Sequence, residues 1–234
     1  TKQGARIISY AVLNADGINV LDTEMDNVGK NESTSVYFTE VVRTGLAYRS
    51  PVIFSDYEEP SLYFSSPIED LSGRILGVLR ARYKAEELDK IITGARGLAG
   101  RGSFAILLDE NLLRLVHGRR SDLRYTLAGI IEDEALKKLK ERHFLPVETE
   151  AGLVESSQWK HVVEIAAQRQ QHIEARFFGL GTDIFSAAVI KLDTAPWLLI
   201  FAQSQESVLA PVDRQIKSSL ILSALVALVV ILIM

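Results

Sequence analysis

"LYFSSPIEDLSGRILGVLRARY", Leu62 to Tyr83, decides the fold. Two apolar runs flank the polar turn Glu69-Asp70-Leu71-Ser72-Gly73, a pattern that predicts strand, tight turn, strand. "IFSAAVIKLDTAPWLLIFAQ", Ile184 to Gln203, repeats it around Asp193-Thr194-Ala195-Pro196. Helix-forming residues follow each: "KAEELDKIITGARGL" after the first, "SQESVLAPVDRQIK" after the second.

Working outward, each of these hairpins is preceded by another. "ISYAVLNADGINVLDT" (Ile8 to Thr23) turns at Asn14-Ala15-Asp16-Gly17, and "SFAILLDENLLRLVHG" (Ser103 to Gly118) turns at Asp109-Glu110-Asn111. The grammar is that of two copies of one module. In the first copy, the insertion from Gly29 to Ser61 predicts a short helix capped by Ser33 or Ser35 and holding Tyr37, Phe38, Val41 and Val42. In the second, "DEALKKLKER" and "SQWKHVVEIAAQRQQ" read as helices from their apolar spacing and their lack of Gly and Pro. Hairpin, insertion, hairpin and exit helix make an α+β unit with an antiparallel sheet covered on one face. The glycines of "ITGARGLAGRGSF" mark the boundary, so the modules are expected at 1–98 and 99–203, with an exit helix and membrane segment at 204–234.

The uncharged end "SSLILSALVALVVILIM", Ser218 to Met234, lies at the short limit for crossing a hydrocarbon core ~30 Å thick. With Thr1 at the other end, the chain reads as an internal piece of a longer membrane protein, the exit helix running without a breaker into the span. Arg214 and Lys217 flank that span on the side taken as outside, mildly against the positive-inside tendency.

Net charge of -4 with dispersed Lys and Arg argues against nucleic acid as a partner. The absence of Cys removes disulfides, thiolate catalysis and Cys-ligated zinc. Of the four histidines, His117, His143, His161 and His172, only His161 shares a helix face with an acid, Glu164, so all four are expected on the surface and no metal site is expected. "GRGSFA" lacks the second Gly of a nucleophile elbow, and "GLAGRGS" lacks the Gly-Lys-Ser/Thr ending of a phosphate loop. Neither catalysis nor a cofactor is expected.

The order and spacing of "VLNADGINVLDT", "NVGKNESTSVYFTEVVRTG", "YFSSPIEDLSGRILGVLRARYKAEEL", "GRGSFAILLDENLLRLVHG" and "WLLIFAQSQESVLAPV" resemble the double Cache sensor domains of bacterial transmembrane receptors over nearly the whole chain. That resemblance implies two tandem PAS-like modules outside the cytoplasmic membrane, the distal one holding a small ligand. It also implies an upstream helix and first span, a C-terminal transmembrane helix, and a cytoplasmic kinase, chemotaxis or cyclase output. A homodimer is expected because a small displacement of one span gains meaning only relative to a partner span. The rival classes are a membrane-tethered protein-binding or adhesion module and the non-catalytic part of an envelope enzyme. An exposed apolar patch in place of a pocket would mark the former.

In relatives that bind amino acids, an Arg two residues before an aromatic pair holds the ligand carboxylate and a late Asp in the second hairpin holds the ammonium. Here the pair is Tyr37-Phe38, Ser35 stands at the Arg position, and Arg82 at the Asp position. An ammonium would meet repulsion at Arg82. Strand alternation puts Arg80 and Arg82 on one face, and guanidinium forks match carboxylate or phosphate, so the expected ligand is a small anion held by Arg80 and Arg82. Tyr37, Tyr48, Tyr63 and Ser65 would form the walls. The other reading leaves both arginines on the solvated face of an edge strand, paired with Glu24, Asp26 or Glu58.

Overall fold

The computed structural model describes residues 7–55, 58–98, 100–129, 131–150, 172–175 and 185–207, with positions 209, 215, 218 and 219 beyond. The chain divides into two compact units, Thr1–Ile91 with Tyr125–Leu153, and Ile92–Arg124 with Val154–Met234. Residues Tyr125–Leu153, which the sequence pattern counts with the second module, thus group with the first unit. Contacts between these segments include the Phe54 amide, which donates to the His143 carbonyl at 2.7 Å, and the Phe54 ring, which packs edge-on against Tyr125.

The first unit holds β1 (Ile7–Asn14), β2 (Asn19–Asp22), α1 (Val36–Thr44), β3 (Tyr48–Arg49), β4 (Ile53–Ser55), β5 (Glu58–Glu69) and β6 (Ile75–Lys84). Helix α2 (Glu86–Gly94) follows β6, and α3 (Asp133–Glu141) lies in the segment that joins this unit from later in the chain. The sheet runs β2-β1-β6-β5-β3, with β4 also paired to β5, and every pairing is antiparallel. β6 is therefore a central strand, which removes the edge-strand reading of its arginines.

Turn chemistry sets these registers. Asp70 Oδ1 accepts the amides of Ser72 and Arg74 and closes the β5–β6 turn, while Asn14 Oδ1 accepts those of Asp16 and Ile18 and closes β1–β2. Gly17 takes the left-handed conformation that this second turn needs, at φ +78°, with Ser33 packed so close that a side chain could not fit.

Helix α1 lies on one face of the sheet. Its Tyr37, Phe38 and Val41 bury against Leu13 of β1, Tyr63 of β5 and Val78 of β6, with Tyr48 and Ile53 packed at the side. The helix ends at Gly45, a left-handed C-cap whose amide bonds back to the Val41 carbonyl. Tyr10, Phe64 and Leu79, on the opposite face by alternation, stay nearly half exposed.

The second unit holds β7 (Phe104–Leu108), β8 (Arg114–His117), β9 (His172–Ala175), β10 (Phe185–Lys191) and β11 (Leu198–Ser204) in the order β8-β7-β11-β10-β9. That is the strand order of the first sheet: outer and inner strand of the opening hairpin, last strand, then its hairpin mate. Asp109 Oδ1 closes the β7–β8 turn by accepting the amides of Asn111 and Leu113.

His117 departs from the surface position expected of it. It is 3% exposed, stacks on Phe104 with ring centroids 5.5 Å apart, and accepts the Arg120 amide at Nδ1. Burial, helped by the Arg114 charge, pushes its pKa down to about 4, so the ring is neutral. His143 is exposed as expected.

Helical backbone begins again at residues 205–207, but the course of the exit helix, the apolar end and the expected helix at 157–171 lie outside the described residues. Among the described residues no helix is long and apolar enough to cross a membrane.

Gly77 sits where β6 passes β1 so closely that a Cβ would come within 2.3 Å of the Leu13 carbonyl oxygen. Gly77→Ala must push the two strands apart. Denaturant unfolding should show a loss of about 1–3 kcal/mol, the usual cost of overpacking, and an unchanged midpoint would contradict this register.

Candidate functional site

The sheet face beneath α1 brings together four of the six residues singled out from the sequence. Antiparallel register sets Arg80 of β6 opposite Ala11 and Ser65, and Arg82 opposite Ser9 and Tyr63. Tyr37, in the first turn of α1, stacks on Tyr63 with ring centroids 4.4 Å apart and planes 21° apart. The Arg80 guanidinium carbon lies 5.8 Å from each of those ring centroids, and that of Arg82 lies 5.8 Å from the Tyr63 centroid.

Ser65 and Tyr48 stand at the margin of this cluster. Ser65 Oγ donates to the Tyr37 carbonyl at 2.7 Å and so ties β5 to α1. Both residues also line a cavity of about 390 Å³ whose other walls include Tyr10, Phe64, Leu79 and Ala81, residues that alternate away from the arginines.

The two arginines are placed differently. Arg80 is 3% exposed. Its Nη1 donates to Ser9 Oγ at 2.9 Å, and its Nη2 donates to Asp22 Oδ2 at 3.0 Å and to Glu32 Oε1 at 3.1 Å. Asn19 Nδ2 donates to both of those carboxylates at 2.9 Å, and the Tyr37 hydroxyl donates to Glu32 Oε2 at 2.7 Å. Arg82 donates from Nε to Ser61 Oγ at 3.0 Å and keeps its Nη1 3.9 Å from Glu24 Oε2, on the more open side of the cluster. Glu24, one of the three acids offered as partners from the sequence, is thus found beside Arg82.

Electrostatics binds the cluster together. Burial alone would raise the Asp22 carboxyl, but the Glu24 amide, the Asn19 amide and the Arg80 charge outweigh it and hold that group below its ordinary 3.8. Burial likewise works against the Arg80 charge, and Glu32, Tyr37 and Asp22 raise its pKa in spite of it. Burial and the Glu32 charge push the Tyr37 hydroxyl upward, so it stays protonated as a donor.

Sequence reasoning missed Ser9, Asn19, Asp22, Glu32 and Ser61. Alternation along β1 puts Ser9 on the same face as Ala11 and Leu13, but only the β1–β6 pairing brings it to Arg80. Asn19 and Asp22 gave no such signal, because both point inward while Val20 and Leu21 between them are exposed. The β1–β2 pairing carries a register shift between Val12 and Leu13 beside that irregular strand.

No protein-family model and no curated protein sequence matches the chain. Solved structures do. The sensor domain of the Vibrio cholerae histidine kinase DctB superposes with TM-score 0.60 at 11% identity, covering 85% of this chain and 72% of that one. The ligand-binding domain of the Campylobacter jejuni chemoreceptor Tlp3, solved with L-norvaline, gives 0.55 at 13%, covering 86% and 66%. That of the Pseudomonas aeruginosa amino-acid chemoreceptor PctC, solved with GABA, gives 0.53 at 16%, covering 84% and 74%. The chain therefore has the mixed α/β, antiparallel-sheet fold of the Cache-type sensor domains of histidine kinases and chemoreceptors.

Removing Arg80 would leave Asp22 and Glu32 buried without their cation. Arg80→Met should cost about 3–5 kcal/mol in denaturant unfolding, whereas a surface arginine would cost less than about 1. The lowered Asp22 pKa adds stability that is present above the unfolded value of 3.8 and lost as pH falls through the folded value. Below about pH 4 the chain should therefore lose stability more steeply than its Asp22→Asn variant, a difference that acid titration of the unfolding midpoint measures.

Proposed function

We propose that this chain is the extracytoplasmic ligand-sensing region of a bacterial transmembrane signalling receptor, with no catalysis of its own. The observation that carries the reading is the convergence of Tyr37, Tyr63, Arg80 and Arg82 between a helix and the sheet that it covers, in a fold shared with ligand-binding sensor domains. Two stacked tyrosines and two arginines suit a small carboxylate or other small anion.

The two units are read as tandem PAS-like modules, a reading supported by their common strand order. The first is distal and binds the ligand; the second passes the change toward the apolar end of the chain. That end anchors the region in the cytoplasmic membrane, with a kinase, chemotaxis or cyclase output beyond it. A homodimer gives a small shift of one span a partner to be read against. Coupling of about 1–3 kcal/mol between ligand and arrangement is enough for such a shift.

A thermal-shift screen of the chain against carboxylates, phosphates, amino acids and nucleobases tests the proposal. A ligand at about 100 times its dissociation constant adds roughly 2.7 kcal/mol, which raises Tm by about 5–10 °C in a chain of this size. Carboxylates or phosphates should give the shift, and Arg82→Gln should remove it without unfolding the protein. A screen with no response from a folded sample would sink the small-ligand reading. It would favour a protein partner, for which the half-exposed face bearing Tyr10, Phe64 and Leu79 is the feature in hand.

A further inference from the structure

We infer that Glu32 is a built-in occupant of Arg80 that a ligand carboxylate displaces, so that the exchange is felt directly by α1. The inference rests on the ligand-sensing reading and names the regulation of the same site.

The two acids on Arg80 are not equivalent. Both accept from Asn19 Nδ2 as well as from Arg80, but the Asp22 side chain is wholly inaccessible and also accepts the Glu24 backbone amide. The Glu32 side chain keeps 11% of its surface exposed and stands at the open edge of the pair. One guanidinium facing two carboxylates leaves an uncompensated negative charge, and Glu32, which gives up the bonds from Arg80, Asn19 and Tyr37 when it leaves, is the carboxylate with water at hand to replace them.

Arg80 also has an unused prong. A guanidinium presents Nε and Nη2 as a side-on fork for a carboxylate. Nη2 carries both acids, while Nε is buried and has no hydrogen-bond partner among the described residues. Glu32 therefore holds Arg80 through one prong only. A free carboxylate entering from the Glu32 side could take both, a pairing that the tethered side chain does not make.

The backbone makes Glu32 a switchable contact. Its amide is pinned to the Gly17 carbonyl at 2.8 Å, so the side chain can swing while the loop stays in place. Its Oε2 holds the Tyr37 hydroxyl in the first turn of α1. Displacing Glu32 thus releases the hydrogen bond that ties the start of α1 to the central strand through Arg80.

The test uses the full chain, its Glu32→Gln variant and sodium acetate as the probe, titrated against chloride at constant ionic strength. Arginine side-chain NMR follows the Arg80 Nε–H signal, and amide exchange follows α1. A site occupied by its own acid nine-tenths of the time binds a competitor about tenfold more weakly. The Arg80 signal should therefore move saturably at about tenfold less acetate in Glu32→Gln. Amides of α1 should exchange faster in that variant without acetate, and in the parent chain with it. Tyr37→Phe, which keeps the ring stack, should loosen α1 without the tenfold gain. Equal or weaker acetate binding in Glu32→Gln, or an Arg80 signal that ignores acetate there, overturns the inference whatever α1 does. The ligand screen separates the two levels. A ligand that stabilises the parent and Glu32→Gln equally removes the Glu32 exchange and leaves the sensor reading intact, whereas no response in either protein removes both.

Discussion

A guanidinium buried on the central strand of a sheet cannot stay charged without acids beside it, and the first unit is arranged around that requirement. Arg80 leaves water when β5 and β1 close on β6 and α1 settles over them. Its counter-ions come from chain that is neither on β6 nor on the strands beside it. Asp22 arrives from the outer strand β2, and Glu32 from the loop before α1, pinned by the Gly17 turn. The hairpin, the loop and the helix are thereby held to one another through a single side chain.

Such a cluster is a poor source of stability. Desolvating three charges offsets most of what their attraction returns, and an apolar replacement of the same shape would do as well. What the cluster supplies is a defined geometry at the junction of helix and sheet, with aromatic rings above the cations and hydroxyls at the edges. For the ligand-sensing reading proposed above, a site shared between two elements is what allows occupancy to become displacement. A site formed within one rigid element could not do so.

Much of this fold is legible along the chain because hairpins are local. Asn-Ala-Asp-Gly, Glu-Asp-Leu-Ser-Gly and Asp-Glu-Asn are turn sequences whose side chains bond amides two to four residues away, and the structure uses Asn14, Asp70 and Asp109 for that work. Alternation on β6 places Arg80 and Arg82 on one face with Val78, and helical spacing points Tyr37, Phe38 and Val41 the same way. The illegible part begins where strands irregular in themselves meet. Apolar Val20 and Leu21 face out and polar Asn19 and Asp22 face in, an inversion that no pattern of residue types announces. The burial of His117 against Phe104 is of the same kind, since its partners come from the facing strand and the following loop.

By itself the sequence determined the strands of the four hairpins, the turns that join them, the helix of the first insertion and the repeated order of these parts, because each depends on contacts within a few residues; β3, β4 and β9 lay outside that reading. Only the tertiary structure decided that β6 lies at the centre of its sheet, that Tyr125–Leu153 groups with the first unit, and that Arg80 is already held by Asp22 and Glu32. Those outcomes turn on pairings between residues 48 and 58 positions apart in the ion pairs, and farther still between Phe54 and His143. Charge and burial act on distance in space, which spacing along the chain does not encode.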